Sequence, residues 1–406
     1  VHFPFFKTKE KKTIWTFALV SYLNDFGADM VHSLWPAFLT QTLGLNMTVL
    51  GLIDGLGDAM ISISQAVSGY VSDRIRHRKV FIWIGYLLSA VSRIGFAFAG
   101  GWPMALFSKL VERSGKMRDT PRDAIAAEIS DRRNRGSNFG ILRTMDSFGA
   151  VCGVLVALWL VQHIPVRTLF AYAAIPSVLG AILVLVFIRE EHNGFKLYEG
   201  LHWKNLSGNF RWFLALSALF SVASFSYSFL LIFAQKFGFT LFEIPMLYLI
   251  YMAGAMVASY PLGRLADALG RRIVIFMGFL FWAATLSLLI LSQSHVAIVL
   301  AFVLFGFSKG AIETVQRTYV SELAPHGYVA SALGTFKLVV GLSALPASLI
   351  AGLLWDSMGV FAPFHLSLAL TAIASVMLIF VDGKAPTPPS IPTNEQPLEM
   401  VPPVVE

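Results

Sequence analysis

Lys109, Glu112, Arg113 and Lys116 recur at i, i+3, i+4 and i+7, directly after the apolar run WPMALFS. On a helix of 3.6 residues per turn, this spacing places all four on one stripe. Two further segments carry acidic stripes: Asp25 and Asp29 with His32 at i, i+4, i+7, and Asp54 with Asp58 at i, i+4. No metal-ligand spacing, phosphate-binding glycine loop or nucleophile triad accompanies them. The chemistry on offer is therefore charge recognition and proton exchange rather than bond making, so neither enzyme activity nor a cofactor is expected. Cations so arranged suit a carboxylate or phosphate, Arg through its planar fork and Lys as a point charge. Two roles are open to Asp25, Asp29, Asp54, Asp58 and Glu112: carrying protons, if burial and like charge raise their proton affinity, or neutralising the cations. The cations likewise either bind an anion or balance these carboxylates.

The elements that hold these residues must lie in a membrane. The 406-residue chain is 56% hydrophobic and 14% charged, with a mean hydropathy of +0.67. Apolar runs of roughly 20 residues, each able to cross about 30 Å of hydrocarbon, recur along its length. About twelve are expected, near 14–40, 49–71, 80–99, 102–126, 138–162, 167–188, 211–235, 244–264, 273–292, 296–320, 331–354 and 359–381. Runs of this length exclude a barrel, so the fold class is an all-α membrane protein with twelve transmembrane helices. The first run carries Asn24, Asp25 and Asp29 and is too long and too polar for a signal peptide. The formal net charge of +7 comes largely from alternate loops, KTKEKK (7–12), DRIRHRK (73–79), DRRNR (131–135) and GRR (270–272). Such alternation marks topology rather than nucleic-acid binding, and it puts both termini in the cytosol of an inner-membrane protein. The lone Cys152 excludes a disulfide framework.

The longest polar connection splits the spans six and six. The expected organisation is a cytosolic N-terminus (1–13), a first six-helix bundle (14–188), a linker (189–210), a second bundle (211–382) and a disordered Pro-rich tail (383–406). Signals repeat across the divide: GYVSDRIRHRK begins at Gly69 and GRLADALGRR at Gly263, and 263 − 69 = 194. Gly140 and Arg143 match Gly334 and Lys337 at the same offset, and Arg122 matches Arg317 with one inserted residue. Two like-oriented repeats related by an axis along the membrane normal follow. The second half repeats the basic pattern with Lys309, Glu313 and Arg317 at i, i+4, i+8, but LSALFSVASFSYSF (216–229) has Ser where the first span has Asp. Any proton coupling is therefore expected in the first half.

The two copies of the glycine-aspartate-arginine segment resemble the loop motif that follows the second and eighth helices of the major facilitator superfamily. The first copy has Arg76 where the family has Gly. The stretch ERSGKMRDTPRDA (112–124), through Arg113, Gly115, Lys116, Arg118, Pro121, Arg122, Asp123 and Ala124, resembles a fourth-helix signature of one prokaryotic branch of that superfamily, and SYLNDFGADMVHSLWPAFL (21–39) resembles that branch's first helix. The resemblance covers about residues 13–381. It implies two pseudo-symmetric bundles rocking about a central site in a monomer. Substrate-binding residues would then be Lys109, Arg113, Lys116, Arg143, Lys309 and Lys337, with Tyr22 and Trp35 lining the cavity. Gating residues would be Asp73, Arg74, Arg78, Arg122, Asp267, Arg271 and Arg317, the two aspartates each sitting at a helix N-terminus of the facing half. Gly140, Gly149 and Gly153 keep the spacing of the antiporter motif, but Val154 replaces its Pro. The expected function is proton-coupled secondary transport of a small organic anion, extended by analogy to carboxylate siderophores. The alternatives are a proton/drug antiporter and a transporter-like receptor that binds without translocating.

Overall fold

The computed structural model describes residues 9–75, 77–130, 135–188, 207–323 and 329–381. Among these there is no strand, and the helices form twelve spans. The first is Lys9–His32, prolonged by Trp35–Ala37 and a π-turn at Phe38–Thr42. The second is Met47–Ile75, the third Arg78–Phe98, and the fourth runs through Trp102–Ser114, a 3-10 segment Gly115–Arg118 and Asp119–Ile129. The fifth is Arg135–Leu160 and the sixth Val166–Phe187; the seventh is Gly208–Ala223 continued by Tyr227–Lys236. Ile244–Leu269, Arg271–Leu291, His295–Leu323, Val329–Met358 and Ala362–Ile379 complete the set. Ten of these spans are long and apolar enough to cross a membrane by composition alone. The first and fourth are not, because they carry the ionisable stripes. Burial among the other helices must therefore hold them in place.

Two spans are broken where the sequence offers a reason. In the fourth, the helix tightens over Gly115–Arg118, and Pro121 lies in the first turn of the helix that follows, where an absent N–H costs nothing. Gly115 presses on the third span so closely that a Cβ there would meet the Gly85 carbonyl at 2.7 Å and the Ser89 hydroxyl at 2.8 Å. The seventh span unwinds over Ser224–Ser226, and the Ser226 hydroxyl restarts the helix by accepting from the Ser228 N–H at 3.2 Å. Non-helical backbone at this depth needs such partners, since hydrocarbon supplies none.

Each half packs in the same way. The first span lies along the fifth and sixth, the third against the sixth, and in the second half the tenth packs on both the eighth and ninth. The repeat also extends to a pairing that its motif does not contain. Arg78 at the start of the third span pairs with Glu128 at the end of the fourth, and Arg271 at the start of the ninth pairs with Glu322 at the end of the tenth at 2.9 Å, where 322 − 128 = 194. These pairs, with Arg74 and Arg122, mark one end of the molecule as the basic end.

The halves meet chiefly along the second and eleventh spans, whose glycines allow the backbones to touch. A Cβ on Gly55 would lie 2.9 Å from Leu345 Cα, and one on Gly352 would lie 2.7 Å from Thr48 Cα. At the end opposite the basic one, the Asp356 carboxylate of the eleventh span accepts from the Met47 N–H at 3.2 Å, the Thr48 N–H at 2.7 Å and the Thr48 hydroxyl at 2.6 Å. A side chain of one half thereby caps the first turn of a helix in the other, where free N–H groups favour negative charge. Asp356→Ala should shift the population toward a form parted at this end by roughly fivefold, the effect of losing a cap contribution of about 1 kcal/mol. A cysteine at Leu345 in a Cys152→Ser background should then react faster with an impermeant maleimide; an unchanged rate would show that the cap does not hold the halves together.

Candidate functional site

The fourth-span stripe points into the first half toward the seam. Lys109 is fully buried; its Nζ lies 3.4 Å from Glu112 Oε2 and 4.5 Å over the Trp35 ring. The other Glu112 oxygen meets His32 Nε2 at 2.7 Å, and His32 Nδ1 lies 3.6 Å from Asp29 Oδ1. Arg113 stands 3.8 Å from both Glu112 and Asp58. The three stripes of the first, second and fourth spans thus converge on one cluster, as their spacing predicts. Charges this deep are tolerable only in one another's company. Even so, Lys109 Nζ, Glu112 Oε2 and Arg113 Nε are buried with no hydrogen-bond partner among the described residues.

The second half closes the cluster with neutral groups. Ser226 and Ser228, at the unwound turn of the seventh span, donate to Asp54 Oδ2 at 2.7 and 2.5 Å, while Trp35 Nε1 donates to Asp54 Oδ1 at 2.9 Å. The Tyr248 hydroxyl donates to Asp29 Oδ1 at 2.8 Å, and that of Tyr227 to the His32 carbonyl at 3.3 Å. Asp54 therefore accepts from both halves. Ser226 and Ser228, which answer to His32 and Leu34 at the repeat offset of 194, here serve an aspartate of the other half. Trp35 is a buried hydrogen-bond donor under Lys109, whereas Tyr22 packs between Phe26 and Phe148 on the face shared by the first and fifth spans.

The cation ring expected from sequence separates into two levels. Lys109 and Arg113 lie in the buried cluster, and Lys309 sits over Phe305 at 5.8 Å on the facing wall. Arg143, its side chain 59% exposed, pairs with Asp146 at 3.5 Å and Asp123 at 3.9 Å nearer the basic end. Lys337 and Arg317 are exposed, and Lys337 feels Asp119, Asp123 and Arg143 across the seam. Lys116, half buried, lies between the levels in the field of Asp119 and Asp146. Charged side chains of both halves thus meet solvent at the basic end, while the opposite end is held shut.

Among the gating residues, Arg122 is buried and ties Ser21 at 2.6 Å to Asp123 at 2.9 Å and Asp146 at 3.6 Å. Asp267, at the end of the eighth span, pairs with Arg271 at the start of the ninth, so the facing-half contact expected of it is not made in this conformation. The Asp73 side chain lies outside the described residues. Arg74 is exposed and reaches the Tyr70 hydroxyl. Sequence reasoning missed Arg93, which is buried in the third span and donates to the Asn24 and Ala173 carbonyls, each at 2.9 Å, and to Ser177. It ties the first span to the sixth, and Asn24 in turn donates to Asp25 at 2.9 Å. A lone arginine within YLLSAVSRIGFAF is signal enough to flag it.

The family model described as Major Facilitator Superfamily matches residues 17–251 and 211–405. The chain belongs to that superfamily. It is 32% identical over 383 residues to an uncharacterized MFS-type transporter of Methanocaldococcus jannaschii, covering 91% of this chain and 95% of that one. More distant relatives carry unlike names. A probable 4-methylmuconolactone transporter of Cupriavidus pinatubonensis is 22% identical, over 91% of this chain and 90% of the other. The quinolone resistance protein NorA of Staphylococcus aureus is 24% identical, over 89% and 95%. A crystal structure of the nucleoside transporter NupG shares the fold, with a TM-score of 0.72 and 14% identity, over 90% of this chain and 97% of that one. The chain is thus a multi-pass membrane transporter with a small-molecule substrate, and the buried cluster lies at the seam between its halves. Removing its central negative charge with Glu112→Gln should cost about 3 kcal/mol of stability, because Lys109, Arg113 and His32 would lose their shared partner. Denaturation of the purified protein reads this directly; a loss below about 1 kcal/mol would show that Glu112 does not balance them.

Proposed function

We propose that the chain is a secondary active transporter of a small organic anion, carboxylate- or phosphate-bearing, with the anion held at Lys109 and Arg113 and a proton taken up with it. The observation that carries this reading is Lys109, a fully buried ammonium whose Nζ lacks a hydrogen-bond partner among the described residues. An ammonium so placed stays costly until an acceptor arrives, and an anionic oxygen satisfies it and the nearby Arg113 Nε together. The charge balance supports the proton. Lys109, Arg113 and Lys309 face Asp29, Asp54, Asp58 and Glu112. An added anion would deepen the excess of negative charge in a low dielectric, unless one carboxylate is protonated with it. Asp58 and Asp25 are the carriers most open to this, since Asp54 and Asp29 already accept hydrogen bonds that bridge the halves.

The basic end is cytosolic on this reading, with both termini there and the protein a monomer in the inner membrane. Drug/proton antiport is the second reading, favoured by the relationship to NorA. Two buried cations at the seam and Val154 in place of the antiporter proline weigh against it.

Lys109→Gln should weaken binding of di- and tricarboxylates or sugar phosphates by about tenfold or more, the effect of losing a charged hydrogen bond. Thermal stabilisation of purified protein measures this; unaltered affinity, or stabilisation by lipophilic cations alone, would contradict it. In proteoliposomes, Asp58→Asn should abolish accumulation driven by a proton gradient while sparing counterflow. Accumulation at the wild-type level would remove Asp58 from the coupling. Binding without any counterflow in the wild type would identify a receptor instead.

A further inference from the structure

The two halves bring unlike chemistry to the site. The first supplies the charges. The second supplies rings: Tyr251 stacks on Phe305 with centroids 4.6 Å apart, lies within 10° of parallel to Tyr227 at 6.4 Å, and is flanked by Tyr248 at 5.8 Å. Trp282 backs Phe305 at 5.4 Å, and Lys309 lies over the same ring. Two rings of this wall are fixed by bonds to the ionisable cluster itself, Tyr248 through Asp29 and Tyr227 through the His32 carbonyl. Through Asp29, His32 and Glu112 these bonds run on to Lys109 and Arg113, so the wall abuts the cation cluster. Tyr227 and Tyr251 are half buried, unlike the buried Phe305 and Trp282 behind them, and the Tyr251 hydroxyl has no hydrogen-bond partner among the described residues.

We infer that the substrate carries its anionic group on a planar ring, and that the site takes an aromatic monocarboxylate, with the carboxylate at Lys109 and Arg113 and the ring against Tyr251 and Tyr227. This rests on the anion reading above and narrows it. The ring edge is positive and its face negative, so a planar ring finds favourable offset or edge contacts on a tyrosine wall that an aliphatic ring of the same size does not. Two converging cations match one carboxylate, and Lys309 on the remaining wall has its ammonium already placed over Phe305.

Equilibrium binding of benzoate and cyclohexanecarboxylate to the purified full chain tests this, because the two carry the same charge and nearly the same size and differ in the ring. Wild type should prefer benzoate by roughly fivefold or more. Tyr251→Leu should reduce the preference to about twofold or less, and Tyr251→Phe should keep it. Equal affinities in the wild type, with both ligands lost in Lys109→Gln, would overturn the aromatic assignment and leave the anion reading in place. If neither ligand binds but succinate or a sugar phosphate does, the aromatic assignment falls as well. If no anion binds, the anion reading itself fails.

Discussion

A charge taken out of water must find an opposite charge or a set of dipoles, and this constraint organises the molecule. Lys109 is fully buried in the fourth span, so Glu112 must lie beside it; Glu112 then engages His32 and Arg113, and through them the first and second spans. The two spans least able to enter a membrane on their own composition are held there by each other. Arg93 does the same at a second point, gathering the carbonyls of the first and sixth spans around its guanidinium. Both clusters keep the first half rigid where its outer surface, with side chains such as Phe107 and Val186, is free to face lipid.

The seam between the halves is built differently. Its bonds run from neutral hydroxyls or backbone N–H groups to carboxylates and carbonyls: Ser226 and Ser228 to Asp54, Tyr248 to Asp29, the start of the second span to Asp356, Tyr227 to the His32 carbonyl and Ser62 to the Lys337 carbonyl. Each costs little to break when water can replace the donor, unlike a salt bridge in the interior. Close glycine contacts between the second and eleventh spans add area without interlocking side chains. Such a seam is suited to parting.

Much of this is legible in the chain. Helical periodicity gives the direction of the stripes on the first, second and fourth spans, and direction is enough to bring Asp29, Asp54, Asp58, Lys109 and Glu112 together. Periodicity does not give depth relative to a facing half, which is why Arg143 and Lys337 are grouped with Lys109 as substrate-binding residues in the sequence and are found nearer the basic end. Neutral donors leave no mark: Ser226, Tyr227 and Tyr248 look like ordinary residues of an apolar span until a carboxylate of the other half is set against them. The fourth-span break falls at Gly115, where the helix presses on Gly85, and that packing is a tertiary fact. Asp267 pairs within its own half because a helix-terminus contact across the basic end requires that end to be closed.

The central claim is that an anion is held between the buried cations of the first half and the tyrosines of the second. Anomalous diffraction from crystals of the protein with 4-iodobenzoate locates such a ligand without any assumption about transport. The iodine is expected beside the Tyr227 and Tyr251 rings, with the carboxylate directed at Lys109 and Arg113. A peak at the exposed level of Arg143 and Lys337, with none at the buried cluster, would contradict it.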